Sequence, residues 1–138
     1  MTSEKKLVPL KDEIEFVKNY FELMEQKYLG DYHLTIENHD PQLEVFVPPF
    51  CLQLLVENAI EHNLGRAENP VDIKIEITNN ISVVNNKIPK KHKKKTGGRA
   101  LKNLSTQFTL LSGTDIIIEN NDTEFKVKLP FINSNNDI

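Results

Sequence analysis

Apolar residues recur every three or four positions in three stretches of the chain and every second position in several others, an interleaving of helical and strand periods. In the first helical stretch Ile14, Val17, Phe21, Met24 and Tyr28 form one stripe, which Phe16, Tyr20 and Leu23 widen. The pattern predicts a core helix from about Asp12, an N-cap with Glu15 three residues on, to Tyr28, with Gly30 and Asp31 ending it. His33 to Asn38 alternates weakly through Leu34 and Ile36 and reads as a strand. Glu44 to Val47 is expected to pair with it, before Pro48 and Pro49 force an extended entry into the next helix.

That second helix lies within Val47 to Asn63, where Leu52, Leu55, Val56, Ala59 and Ile60 follow the i, i+3, i+4, i+7, i+8 rule. Gly65, Asn69 and Pro70 mark a loop. Val71, Ile73, Ile75 and Ile77 then alternate with Asp72, Lys74, Glu76 and Thr78, the signature of a half-buried strand. Asn79 and Asn80 tolerate positive φ and predict a tight hairpin into a strand from Ile81 to Asn86. Periodicity vanishes from Lys87 to Gly98, a loop with the length of a functional lid. A helix restarts near Arg99 through Leu101, Leu104, Phe108 and Leu111 and stops at Gly113. Ile116 to Glu119 and Phe125 to Leu129 close the fold as a hairpin around Asn120-Asn121-Asp122, and 133–138 is a polar tail.

Hairpins imply antiparallel neighbours, and helices with one-sided stripes need a sheet face to cover. The expected fold is α+β: a two-layer α/β sandwich with a mixed, mostly antiparallel sheet and its helices on one face. At 138 residues and 38% hydrophobic content, one domain over 1–138 with a single core is expected. No stretch approaches the roughly 18 apolar residues of a membrane helix, and Met-Thr-Ser-Glu-Lys-Lys leads into no signal-like segment, so a soluble, cytoplasmic domain is expected. Cys51, the only cysteine, lies in an apolar run and reads as a buried, inert thiol.

The net charge of -3 hides an asymmetry: Lys87, Lys90, Lys91, Lys93, Lys94, Lys95 and Arg99 lie in one basic segment, leaving ten basic against twenty acidic residues elsewhere. A basic segment on an acidic body suggests a local anion site. Without interleaved aromatics it does not read as a nucleic-acid surface.

Candidate chemistry gathers on the second helix, where Glu57, Asn58, Glu61 and His62 flank the apolar stripe. Asn58 and His62, one turn apart, share a side of the helix. Four features converge on a nucleotide: the Asn and Glu of this helix, Asn85-Asn86 ending an apolar strand, the basic loop, and Gly97-Gly98 before a helix. Amides at a helix N-terminus hold phosphate oxygens, and lysines such as Lys91 add charge. The Asn58 amide oxygen is a hard ligand suited to magnesium. Glu61 reads as a solvated neighbour, and His33 and His39 lack partners at metal-ligand spacing.

Leu52-Gln53-Leu54-Leu55-Val56-Glu57-Asn58-Ala59-Ile60-Glu61-His62 closely resembles the N-box of LytS-type sensor histidine kinases, whose catalytic domain has the Bergerat ATP-binding fold. Pro9 to Ile14 resembles the segment leading into that domain, Gly98-Arg99-Ala100-Leu101-Lys102-Asn103-Leu104 its G-x-G-L-x-N box, and Phe125 to Phe131 its terminal strand. The resemblance implies ATP and magnesium as cofactors, with Asn58 on the metal, Glu57 polarising the attacking group and His62 near the phosphates. It implies nucleotide contacts at Asn85, Lys91, Gly98, Ala100, Leu101 and Asn103.

The chain departs from the pattern in several places. Asn85 stands where the family has an aspartate that binds the adenine amino group, Lys87 and Pro89 stand where glycines let the backbone approach the base, and Ala100 replaces a glycine whose lack of a side chain leaves room for phosphate. None of His33, His39, His62 or His92 occupies the position of a phosphoacceptor. The resemblance therefore implies a catalytic domain of a longer, membrane-anchored, homodimeric sensor. Its partners would be the phosphoacceptor-histidine and dimerisation helices and a downstream response regulator. The alternative is a degenerate domain, with weak or no ATP binding, that acts as a protein-interaction or dimer-coupling module.

Overall fold

The computed structural model describes residues 7–90 and 99–132. Its elements are β1 (Val8–Pro9), α1 (Leu10–Tyr28), β2 (Tyr32–Asn38), β3 (Phe46–Val47), α2 (Cys51–His62), β4 (Val71–Ile77), β5 (Ile81–Asn86), α3 (Arg99–Ser112), β6 (Ile117–Asn120) and β7 (Glu124–Leu129). Five strands form a sheet in the order β2-β4-β5-β7-β6, and β1 pairs separately with β3. Because α2 carries the chain across between them, β2 and β4 run parallel, while the other sheet neighbours are antiparallel.

Register explains why the sheet has one apolar face. The rows Leu34–Ile73–Asn85–Phe125, Ile36–Ile75–Val83–Val127 and Ile77–Ile81–Leu129 cross the strands on the same side. Against them pack Leu10, Ile14, Val17 and Phe21 of α1, the Leu52, Leu55, Val56, Ala59 and Ile60 stripe of α2, and Leu104 and Phe108 of α3. The opposite face carries His33, Glu37, Asp72, Lys74, Glu76, Lys126 and Lys128, the polar half of each alternation. The architecture is thus the expected α+β sandwich with a mixed sheet and helices on one face. Among the described residues no helix is long and apolar enough to cross a membrane.

Several local expectations are corrected. Helix α1 begins at Leu10, not Asp12, and no side chain caps it. The reason is tertiary: β1 enters extended through Pro9, and the Leu10 amide donates to the Val45 carbonyl at 2.9 Å, so that donor needs no cap. Phe16 and Leu23 do not widen the buried stripe, being 42% and 67% exposed. The segment before Pro48 pairs with β1 rather than with β2, matching Val8 with Val47 and Pro9 with Phe46. Neither Asn79 nor Asn80 takes positive φ. Ile77 pairs with Ile81, leaving a three-residue turn that the Thr78 amide closes onto the Asn80 carbonyl. The polar tail, 133–138, lies outside the described residues.

The N-terminus of α2 has an unusual cap. Phe50, in the N-cap position, adopts φ 69° and makes no local side-chain cap. Glu13 of α1, only 4% exposed, reaches across and accepts from the amides of Phe50 and Leu52, both at 3.0 Å. A left-handed backbone at a non-glycine residue costs roughly 1–2 kcal/mol. The two charge-assisted bonds, and the Phe16 ring edge-on to Phe50 at 5.4 Å, offset it.

Burial pushes the Glu13 carboxyl above its usual 4.5, against the amides of Phe50, Leu52 and Gln53, which pull it down. A raised folded-state pKa means that folding takes up a proton. This group's contribution is therefore fully present below pH 4.5 and is lost as pH rises through the folded value. Glu13→Ala is expected to cost about 2–4 kcal/mol in chemical unfolding, because two helix amides lose their acceptor. The stability advantage of the native chain over Glu13→Gln is expected to shrink as pH rises above 4.5. An advantage that grows over that range would contradict the buried setting of the carboxyl.

Candidate functional site

Successive residues of a helix are rotated by about 100°, so α2 divides its polar residues between two flanks of the buried stripe. Asn58 and His62 share one flank and are half-buried, and no hydrogen bond from another described residue occupies either side chain. Glu57 lies on the other. Gln53 Nε2 donates to Glu57 Oε2 at 3.0 Å. The carboxylate also lies beside Tyr20 of α1, whose phenol is pushed up to about 12 by burial first and then by the Glu57 charge. Glu57 thus faces α1, on the flank opposite Asn58, and links the two helices.

The other half of the site is the end of β5. Asn85 lies in the apolar register row with Ile73 and Phe125 and is 4% exposed, a polar side chain on the core face of a strand. Its Nδ2 donates to the Asn86 carbonyl at 2.7 Å, which fixes the amide orientation because a carbonyl only accepts. That leaves Oδ1, an acceptor that no donor among the described residues engages. Asn86 is itself anchored: its Oδ1 accepts from the Asp72 amide at 2.7 Å and its Nδ2 donates to the Pro70 carbonyl at 3.1 Å, extending the β4–β5 ladder by one side chain.

Asn63 joins the two halves. Buried at 5% exposure just beyond α2, it accepts at Oδ1 from the Ile88 amide at 2.7 Å and donates from Nδ2 to the Ala59 carbonyl at 2.9 Å. The Leu64 amide donates to the Ile88 carbonyl, and Asn63 and Pro89 form a β-bridge. The His62 end of α2 is therefore fastened to the Asn85 end of β5. Behind the clamp, the buried Tyr32 hydroxyl donates to the Asn63 carbonyl at 2.8 Å and accepts from Gly65. Gly65 must be glycine, since a Cβ would stand 2.1 Å from the Asp31 carbonyl oxygen.

The expected lid of 87–98 begins as pinned chain. Lys87 sends its ammonium to Asn120 Oδ1 and the Asn121 carbonyl, both at 2.7 Å, so its side chain serves the β6–β7 hairpin. Lys91, His92 and Gly98 lie outside the described residues. Ala100 is in the first turn of α3, exposed and free of positive φ, with Leu101 half-buried and Asn103 exposed behind it. Cys51 is fully buried and its thiol is pushed well up by desolvation, as an inert thiol should be.

Two findings escaped sequence reasoning. Asn63 adjoins the polar cluster, but its partner is 25 residues away, and only the register of β5 brings Ile88 to it. His39 and Glu76 meet at 3.2 Å on neighbouring strands, with Glu37 close by, an arrangement that spacing along the chain conceals. Lys74 lies 3.3 Å from Glu37 and 3.9 Å from Glu76 and supplies the positive charge there.

No protein-family model matches the chain. It is 36% identical over 81 residues to the sensor protein LytS of Oceanobacillus iheyensis, covering 56% of this chain and 14% of that protein. It is 33% identical over 75 residues to the sensor histidine kinase/phosphatase LytS of Staphylococcus aureus, covering 54% and 13%. The chain thus spans about one-seventh of the length of these relatives. In structure it is similar to the catalytic domain of histidine kinase ThkA, solved free of nucleotide, with a TM-score of 0.63 and 20% identity over 90% of this chain and 97% of that one. ThkA has also been solved in complex with the response regulator TrrA, matching with a TM-score of 0.51 and 22% identity over 90% of this chain and 41% of that one. The chain is homologous to LytS sensor kinases over about half its length, and its fold is the Bergerat fold of histidine kinase catalytic domains.

Glu57→Gln is expected to bring the Tyr20 ionisation down from about 12 toward 10.0. Tyrosinate absorbance in an alkaline titration reads it, with Tyr20→Phe identifying the signal. An unmoved titration would show that the Glu57 charge does not reach the phenol.

Proposed function

We propose that this chain is the ATP-binding catalytic domain, over residues 1–138, of a two-component sensor histidine kinase. The observation that carries the reading is the union, through Asn63, of the unengaged Asn58 and His62 flank with the buried Asn85 amide. The oxygen left over at Asn85 suits the exocyclic amino group of adenine, a hydrogen-bond donor. Asn58 offers the hard amide oxygen that magnesium takes alongside water and phosphate, and His62 adds a donor toward the phosphates. The start of α3, with Ala100, Leu101 and Asn103, would offer phosphate oxygens the amides that have no partner within the helix. Bound magnesium would supply charge neutralisation on the phosphates.

In the reaction the bond between the γ-phosphorus and the β–γ bridging oxygen breaks, and one forms to an imidazole nitrogen of a histidine outside this chain. ADP departs with the bridging oxygen. The residues here contribute position and charge rather than a covalent intermediate. A response regulator, as in the ThkA complex, is the proposed downstream partner. The parent is proposed to be a membrane-anchored homodimer with this domain in the cytoplasm.

The degenerate reading rested on Lys87, Pro89 and Ala100. The Lys87 side chain is drawn to the β6–β7 turn, Pro89 bridges to Asn63, and Ala100 is in ordinary helical geometry. These placements favour retained nucleotide binding.

Titration calorimetry and thermal melting test the reading. ATP with magnesium is expected to stabilise the chain by about 2.7 kcal/mol at a hundredfold excess over Kd, and Asn58→Ala is expected to lose the magnesium-dependent part. Absence of both heat and stabilisation in the native chain would leave the degenerate module as the reading.

A further inference from the structure

We infer that Asn63 is a positioning residue that sets the distance between the adenine side and the phosphate side of the site, an inference that rests on the nucleotide-binding reading above. The side chain is buried and bridges two elements that share no other side-chain hydrogen bond among the described residues. Oδ1 holds the Ile88 amide at 2.7 Å, and Nδ2 holds the Ala59 carbonyl at 2.9 Å. Ala59 immediately follows Asn58 on α2, and Ile88 is three residues beyond Asn85. One amide thus spans the groups proposed for the metal and for the base.

The two bonds have separable tasks. The bond to Ala59 satisfies a carbonyl in the last turn of α2 and fixes the side chain of Asn63 to its own helix. The bond to Ile88 decides where the chain leaves β5. Among the described residues, the Leu64 amide on the Ile88 carbonyl, within the Asn63–Pro89 bridge, would then hold the exit at α2. That contact cannot restore the acceptor for the half-buried Ile88 amide. Tyr32 supports the same corner differently: its hydroxyl touches the Asn63 main-chain carbonyl and the Gly65 amide, not the Asn63 side chain or Ile88. Losing that hydroxyl should cost stability without moving the exit.

The experiment compares Asn63→Ala, Asn63→Asp and Tyr32→Phe with the native chain. It reads ATP affinity by calorimetry, melting temperature, and hydrogen exchange of the Ile88 amide. Asn63→Ala is expected to weaken ATP about tenfold, because the base side and the phosphate side lose the bond that fixes their separation, and to speed Ile88 exchange. Asn63→Asp keeps an acceptor for Ile88 but loses the donor to Ala59, so it should melt lower yet hold ATP within about threefold. Tyr32→Phe should also melt lower and leave affinity within about twofold, because its lost bond lies outside the bridge.

If Asn63→Ala releases Ile88 exchange but binds ATP like the native chain, or if affinity follows melting temperature alike in all three variants, the positioning role is overturned. A native chain that binds no ATP overturns the nucleotide reading and this inference together. A binding native chain with an indifferent Asn63→Ala overturns this inference alone.

Discussion

A helix keeps its place in a fold only when both its ends are held, because the first amides and last carbonyls of any helix lack partners within it. In this protein both ends of α2 are held by side chains acting across the fold. At the start, the Glu13 carboxylate from α1 takes the amides of Phe50 and Leu52. At the finish, Asn63 returns to the Ala59 carbonyl and extends to Ile88. Between these anchors the apolar stripe sits on β4 and β5, and among the described residues no hydrogen bond occupies the Asn58 and His62 side chains. The price is a buried carboxylate and a left-handed Phe50, both tolerated because they compensate each other.

The same economy governs the chain that leaves β5. Where the LytS-type pattern has glycines after its aspartate, this chain has Lys87 and Pro89. Lys87 is engaged by the β6–β7 turn, and its amide donates to the Thr123 carbonyl at 2.9 Å. Pro89 offers no amide, and none is required where Asn63 and Leu64 already hold Ile88 from both sides. Asn85 follows the same logic, since the Asn86 carbonyl orients its amide and leaves an oxygen that no donor among the described residues engages.

The elements most legible in the sequence were those in which one face alone is buried. Val71 to Ile77 alternates so cleanly that the strand, its hairpin partner Ile81 to Asn86 and the stripe of α2 were recognisable from period alone. Asn58, His62 and Asn85 stood out as polar groups beside apolar runs, a local conflict that a chain rarely keeps without use. What failed was local chemistry overridden by distant partners. Asp12 resembled a cap, but the Val45 carbonyl took the Leu10 amide. Phe16 and Leu23 resembled core, but α1 turns them outward, and Phe16 meets Phe50 instead.

The sequence alone determined the order of the main helices and strands, the buried stripe of α2 and the alternation of β4, because periodicity and local motif reside in neighbouring residues. Tertiary structure decided the parallel pairing of β2 with β4, the cap that Glu13 provides, the turning of Glu57 toward Tyr20 and the Asn63 bridge. Each of these joins residues far apart in the chain, and strand register and helix rotation bring them together only once the core has closed. A single side chain does not disclose its partner in advance: Glu57 and Asn58 are neighbours in sequence, and one helical step of about 100° sends them to opposite flanks of α2.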